Sequence, residues 1–130
     1  MSSLPHHKVC TRLRASKIHG IGVFAICPIK AGTMIFPGDQ TDMIWVDKSA
    51  LPNLSPAEKQ MYADFCLHRG DRLGCPSSFD SLTPGWYVNH NPTDPNLTYS
   101  LQDYSFYAAR DIAEGEELTA NYHLYSDNVV

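Results

Sequence analysis

Apolar and polar side chains alternate along residues 8–15, with Val9, Leu13 and Ala15 on one side and Arg12 and Arg14 on the other. A period of two is that of a half-buried strand. Residues 23–26 and 33–36 are short β-prone runs joined through Pro28 and Gly32, a strand, turn, strand pattern, and another apolar run covers residues 43–46. One helix stands out. Ser55 precedes Pro56, Glu58 follows three positions after Ser55, and Leu54 is placed to staple, so a capping box starts a helix at Ser55 that is expected to end near Gly70. Ala57, Met61, Tyr62 and Phe65 fall at helical spacing and are expected to face the core. Residues 70–85, rich in Gly, Pro and Ser, read as a connection, and residues 86–88, 97–102, 104–109 and 117–120 as further short strands. Many short strands around one helix, without regular βαβ alternation, predict a β-rich α+β domain rather than a parallel sheet.

A length of 130 residues suits one domain, and 43% hydrophobic with 18% charged residues are globular proportions. No apolar run reaches the roughly 18 residues of a membrane span, and residues 1–8 lack the apolar region of a signal peptide. An intracellular location is therefore expected, cytoplasmic, or nuclear in a eukaryotic host, and the sequons at Asn53 and Asn96 carry no weight. Cys10, Cys27, Cys66 and Cys75 are scattered without a C-x-x-C pair, so they read as small apolar residues rather than metal ligands or a disulfide framework. A net charge of −4 argues against direct nucleic-acid binding and suits a basic protein partner, although ordinary solubility explains it equally well.

Three segments carry candidate chemistry. In His19-Gly20-Ile21-Gly22-Val23-Phe24-Ala25, two glycines flank one residue just before a strand. Glycine lets backbone N–H and C=O groups approach a small ligand, though a plain tight turn has the same pattern. The segment running from Asn89-His90 to Pro95-Asn96 is densely polar and directly follows the apolar residues 86–88. Its side chains can pair with one another or recognise a ligand amine, carboxylate or adenine edge. His90 and Asp94 lack further partners at a metal-site spacing. The third segment, Ala109-Arg110-Asp111-Ile112 through Glu116-Glu117-Leu118-Thr119, ends on Tyr122, whose hydroxyl can reach a reaction centre or simply be a satisfied buried group.

In this order the segments resemble the SET-domain family of protein lysine methyltransferases, whose pattern is H-G-x-G-V-F-A, then N-H-x-x-x-P-N, then R-D-I-x-x-G-E-E-L-T-x-x-Y. The resemblance spans residues 13–122, and the third motif matches almost letter for letter. It implies one SET domain with a core of about residues 9–122 between short tails. It also implies a fold of several small sheets with one main helix, in which a threaded C-terminal segment brings the second and third motifs together. By position it makes Gly20, Ile21, Gly22, Asn89 and His90 contacts to S-adenosyl-L-methionine and Tyr122 the catalytic tyrosine. The partner it implies is a protein bearing a target lysine; the spacing and hydropathy read above add the expectation of no metal and no membrane.

The chain departs from the pattern in two places. The second motif is one residue longer than usual, with Asn91-Pro92 where Ser-Cys is common, so its loop is expected to be reshaped while its ends are kept. Eight residues follow Tyr122, where family members often carry a zinc-binding module or a closing helix. The expectation is a partly open lysine channel or a homodimer that completes it, with Tyr125 the aromatic available to stack on adenine. Members of the family narrow the lysine pocket with an aromatic residue two positions before the catalytic tyrosine or with a tyrosine three after the closing Asn. With Ala120 small at the first position, the resemblance implies Tyr99 as the residue that limits how many methyl groups fit, although packing in a strand explains Tyr99 equally well. The rival readings are a silent module that binds cofactor or peptide, and a Cys/His hydrolase built on Cys75 and His90.

Overall fold

The computed structural model describes residue 5 and residues 9–37, 43–51 and 53–127. Strands β1 (Thr11–Ala15) and β2 (Ile21–Ala25) form an antiparallel hairpin across the glycine turn. The last strand, β9 (Glu117–Ala120), pairs antiparallel with β2 and parallel with β6 (Asn89–His90). The four-stranded sheet thus runs β1-β2-β9-β6, with the C-terminal strand inserted between the first and second motifs. A second sheet has the order β3-β5-β4, from Met43–Asp47, Arg72–Pro76 and Leu67–Arg69. A two-stranded hairpin joins β7 (Leu97–Ser100) to β8 (Ser105–Ala108). Several small sheets around α1 (Pro56–Phe65), the one α-helix among the described residues, are the β-rich α+β architecture that the pattern predicted.

The main core sits where these sheets meet. Val23, Ile35, Leu97, Ile112 and Leu118 are its largest fully buried side chains, and burying each is worth roughly 1.5–3 kcal/mol. Residues 33–36 contribute without forming a strand. Ile35 N donates to Phe106 O at 2.9 Å and Ala108 N to Thr33 O at 2.8 Å, while the ladder reduces to one bridge, Met34 to Tyr107. A turn at Gly32 (φ +86°) and Pro37 leave no room for more.

Several expectations are corrected. The helix stops at Phe65, because Cys66 turns extended (φ −89°, ψ 150°) and Gly70 (φ +60°) is the turn of the β4–β5 hairpin rather than a helix cap. Residues 70–85 therefore hold a strand. No helical side chain is fully buried: Tyr62 and Phe65 are half-buried against Phe79, at ring distances of 5.1 and 6.3 Å, while Met61 is 40% exposed and Ala57 exposed. A helix of this length lies over a small second cluster of Cys66, Leu73 and Cys75 and has no deep core to enter. Residues 84–87 make a 3-10 turn led by Pro84 rather than a strand. Leu13, expected inside, is 43% exposed, since β1 is an edge strand bonded only to β2; the Lys8 end of that segment lies outside the described residues. Cys66 and Cys75 are buried as expected, whereas Cys10 and Cys27 are half-buried.

The capping box forms as read: Glu58 N donates to Ser55 Oγ at 3.2 Å and Ser55 N to Glu58 Oε1 at 2.8 Å. Ser55→Ala is expected to cost about 1 kcal/mol, measured as a lowered urea midpoint at unchanged slope; an unchanged midpoint would show that tertiary contacts alone hold α1.

Candidate active site

A cavity of about 830 Å³ runs from the glycine turn across β6 to the aromatic side chains of β7, β8 and the C-terminal segment. That size is within the range of small-molecule sites. At one end Ile18, His19, Gly20 and Ile21 line it; at the other are Phe36, Tyr99, Tyr104 and Phe106; Trp86, Asn89, His90 and Tyr122 lie on the wall as well. The pairing of β6 with β9 creates this wall. Asn89 is level with Thr119 and His90 with Ala120, and Asn91 N donates to Ala120 O at 2.9 Å, so Tyr122 emerges directly beside His90.

Tyr122 is held in three ways. Its backbone N–H donates to His90 Nδ1 at 3.0 Å, its ring lies 4.8 Å from the imidazole at 36°, and its hydroxyl donates to the Val88 carbonyl. Burial, and then the negative charge of Glu117, push its phenol up to about 12. At neutral pH it is a hydrogen-bond donor and not a base.

Asn89 faces the glycine turn. Its Nδ2 donates to His19 O (3.0 Å), Ile21 O (3.3 Å) and Glu117 Oε2 (2.8 Å), so a hydrogen bond from this side chain to a ligand would use Oδ1 as acceptor. Gly20 (φ +43°) lines the cavity, and a Cβ there would meet nothing within 4 Å. Gly22 is buried and does not line the cavity. The longer second motif closes as a compact turn: Asn91 Oδ1 accepts from Thr93 N (3.1 Å) and Asp94 N (3.0 Å). At its end the buried Asn96 spans to β9, accepting from Thr119 N and donating to Glu117 O, both at 2.8 Å.

The C-terminal segment closes one side. After a 3-10 turn over Tyr122–Leu124, Ser126 Oγ accepts from His68 N at 2.9 Å and Asp127 Oδ2 from Gly70 N at 2.8 Å, stitching the segment to the β4 hairpin. Tyr125 is 7% exposed and lines the cavity with its ring 4.4 Å from Tyr99 and 5.8 Å from Tyr122, so one face is already covered. Tyr99 also meets Phe106 at 4.9 Å. The hydrolase pair is not assembled: His90 lines the cavity, whereas Cys75 is buried with Cys66 and Leu73 in the second cluster. Sequence reading missed Ser16, Trp86 and Val88 and gave Glu117 no role. A carboxylate at the head of the short strand Glu117–Ala120 was the one available signal, for Glu117.

The profile of the SET domain matches residues 20–123. The chain belongs to the SET-domain family. Among curated proteins no sequence matches it. Three solved structures share the fold at low identity. A provisionally assigned histone methyltransferase of Plasmodium falciparum is 18% identical with a TM-score of 0.55, covering 86% of this chain and 91% of that one. CpSET8 from Cryptosporidium is 18% identical, with a TM-score of 0.56 and coverage of 88% and 57%. A humanized mutant of the Chaetomium thermophilum Polycomb Repressive Complex 2, bound to the inhibitor GSK126, is 20% identical with a TM-score of 0.59, and covers 92% of this chain but 15% of that one. The SET domain here thus spans nearly the whole of the first, and only part of the other two.

Burial and the neighbouring His123 lower the His90 imidazole below its ordinary range, an effect offset in part by the Ala120 carbonyl; burial lowers His68 as well. The folded state therefore binds these protons less readily than the unfolded chain does. Stability is full above the ordinary histidine value of about 6.5 and is lost as pH falls through the lower folded values. Urea midpoints should fall between pH 7.5 and 5, and less steeply in His90→Asn; identical pH profiles for parent and variant would remove His90 from this account.

Proposed function

We propose that this SET-domain protein is an S-adenosylmethionine-dependent protein lysine N-methyltransferase. The observation that carries it is Tyr122: a phenol kept protonated, fixed by His90 and Val88, at the wall shared by a polar, glycine-lined end and an aromatic end of one cavity. The polar end fits the cofactor. Gly20 lines it without a side chain, Asn89 Oδ1 suits a ligand amine, and Trp86 supplies an apolar surface. The aromatic end, with Tyr99, Phe106 and Tyr125, fits the hydrocarbon stem of a lysine. The P. falciparum neighbour in fold, assigned as a histone methyltransferase, supports a methyltransferase reading.

When bound, S-adenosylmethionine supplies an electrophilic methyl on a sulfonium. The residues of this chain have three tasks. The glycine turn and Asn89 hold the cofactor; Tyr99, Phe106 and Tyr125 exclude water and, by desolvation, disfavour the ammonium form of the lysine. Tyr122 orients the amine through its hydroxyl, and proximity with preorganised dipoles provides most of the acceleration. A silent binding module is the second reading, and the intact Tyr122 speaks against it.

Tyr122→Phe should leave S-adenosylmethionine affinity within a few fold while lowering turnover on a lysine peptide library about a hundredfold. Equal turnover in the two proteins would refute the assignment. Tyr99 carries the second test. If its ring, 4.4 Å from that of Tyr125, limits the lysine pocket, the parent makes chiefly monomethyl-lysine and Tyr99→Phe shifts products upward. Identical methylation states in the mass spectra of both would show that Tyr99 is not the limit.

A further inference from the structure

Glu117 contacts no reacting group in the reaction as proposed and is nonetheless held on several sides. It is half-buried at the start of β9 and stands outside the cavity lining. The Ser16 hydroxyl donates to its carboxylate, 2.8 and 2.9 Å from the two oxygens, and Asn89 Nδ2 donates to Oε2 at 2.8 Å. Among the described residues these partners are a hydroxyl and an amide rather than a cation. Each partner grips the same turn. Ser16 Oγ accepts from Ile18 N at 2.9 Å and His19 N at 3.3 Å, and Ser16 N donates to Gly20 O at 2.8 Å. Asn89 Nδ2 reaches His19 O and Ile21 O from the other side. The backbone of residues 18–21 is thereby tied to one carboxylate through a single intermediate on each side. An ionised acceptor makes such bonds shorter and stronger than a neutral one would.

The neighbouring glycine has the same origin. A Cβ on Gly22 would lie 2.2 Å from Glu117 Oε2, 2.8 Å from its Cδ and 3.1 Å from Asn89 Nδ2. Gly20, in contrast, has a positive φ and open space before it. Of the two glycines in the first motif, only Gly20 faces the cavity, and Gly22 makes room for the carboxylate.

We infer that Glu117 is a positioning residue that, through Ser16 and Asn89, fixes the His19–Gly22 turn in its ligand-ready form, and that Gly22 is required by Glu117 rather than by the ligand. The ligand in question is the S-adenosylmethionine of the proposed function, on which this part of the inference rests.

Two measurements test it. In the ligand-free protein, amide hydrogen exchange of residues 18–22 should rise about tenfold in Glu117→Gln and Ser16→Ala, return toward the parent in Ser16→Thr, and leave Val23 and Leu118 unchanged. Exchange raised uniformly through the core, or not at all, would overturn the positioning role. By calorimetry, Glu117→Gln should weaken S-adenosylmethionine and S-adenosylhomocysteine binding by about tenfold. A double-mutant cycle then separates the glycines. Gly22→Ala should weaken binding in the parent but cost almost nothing when Glu117→Ala has already emptied the space. An equal cost in both backgrounds would make Gly22 a ligand contact and overturn its assignment. Should the parent bind neither compound, the proposed function falls, and the exchange measurement alone still decides whether Glu117 holds the turn.

Discussion

β9 must satisfy two neighbours at once, antiparallel β2 on one edge and parallel β6 on the other, and the site is a consequence of that double pairing. Four residues are enough because both edges are covered. Glu117 at one end of the strand meets the glycine turn, and Tyr122, just past the other end, meets His90 and Val88. Segments about ninety residues apart in the chain are brought to one wall by backbone hydrogen bonds rather than by long side chains. Backbone geometry of this kind leaves little freedom, and that is what an orienting group needs.

Burying a strand among polar motifs carries a desolvation cost, which the structure meets by pairing. Among the described residues the buried polar ones are Asn89, Asn96 and Thr119, and each either belongs to β9 or hydrogen-bonds to it. Asn96 accepts from Thr119 N and donates to Glu117 O; Asn89 has three acceptors; among the described residues no buried side-chain nitrogen or oxygen lacks a partner. Removing one member would leave another buried and unsatisfied, at about 1–3 kcal/mol. The polar second motif is therefore as much a structural joint as a ligand site, and its two roles meet in Asn89.

How far the sequence could be read follows from the range of the interactions involved. Local signals were legible: the capping box at Ser55 and Glu58, and the strands that became β1, β2, β7 and β8, whereas their pairing was not, since the expected unit of residues 23–26 with 33–36 gives way to β2 on β1 and Met34 on Tyr107. Gly70 misled because a glycine serves equally as a helix cap and as a hairpin turn, and only the pairing of β4 with β5 decides between them. Leu13 misled because alternation reports two different faces without saying whether anything covers either one. The motifs gave Tyr122, Asn89 and His90 by resemblance. They did not separate Gly20 from Gly22, since what distinguishes those glycines is a carboxylate from the far end of the chain.

The state of Tyr122 decides how the proposed reaction handles its proton. With its phenol near 12, ionising Tyr122 at pH 7 costs about 7 kcal/mol. Deprotonating a free lysine, with its ordinary value near 10.4, costs about 4–5 kcal/mol. A tyrosinate able to take the lysine proton is thus rarer than the neutral amine it would create. The amine has to lose its proton to water, before or during entry into the aromatic end of the cavity, where burial favours the neutral form. Glu117 adds to this. Its negative charge raises the phenol further, so the same carboxylate that holds the glycine turn also keeps Tyr122 a donor. Tyr122 then contributes by direction alone, which is why its hydroxyl is anchored on Val88 and its ring and backbone on His90.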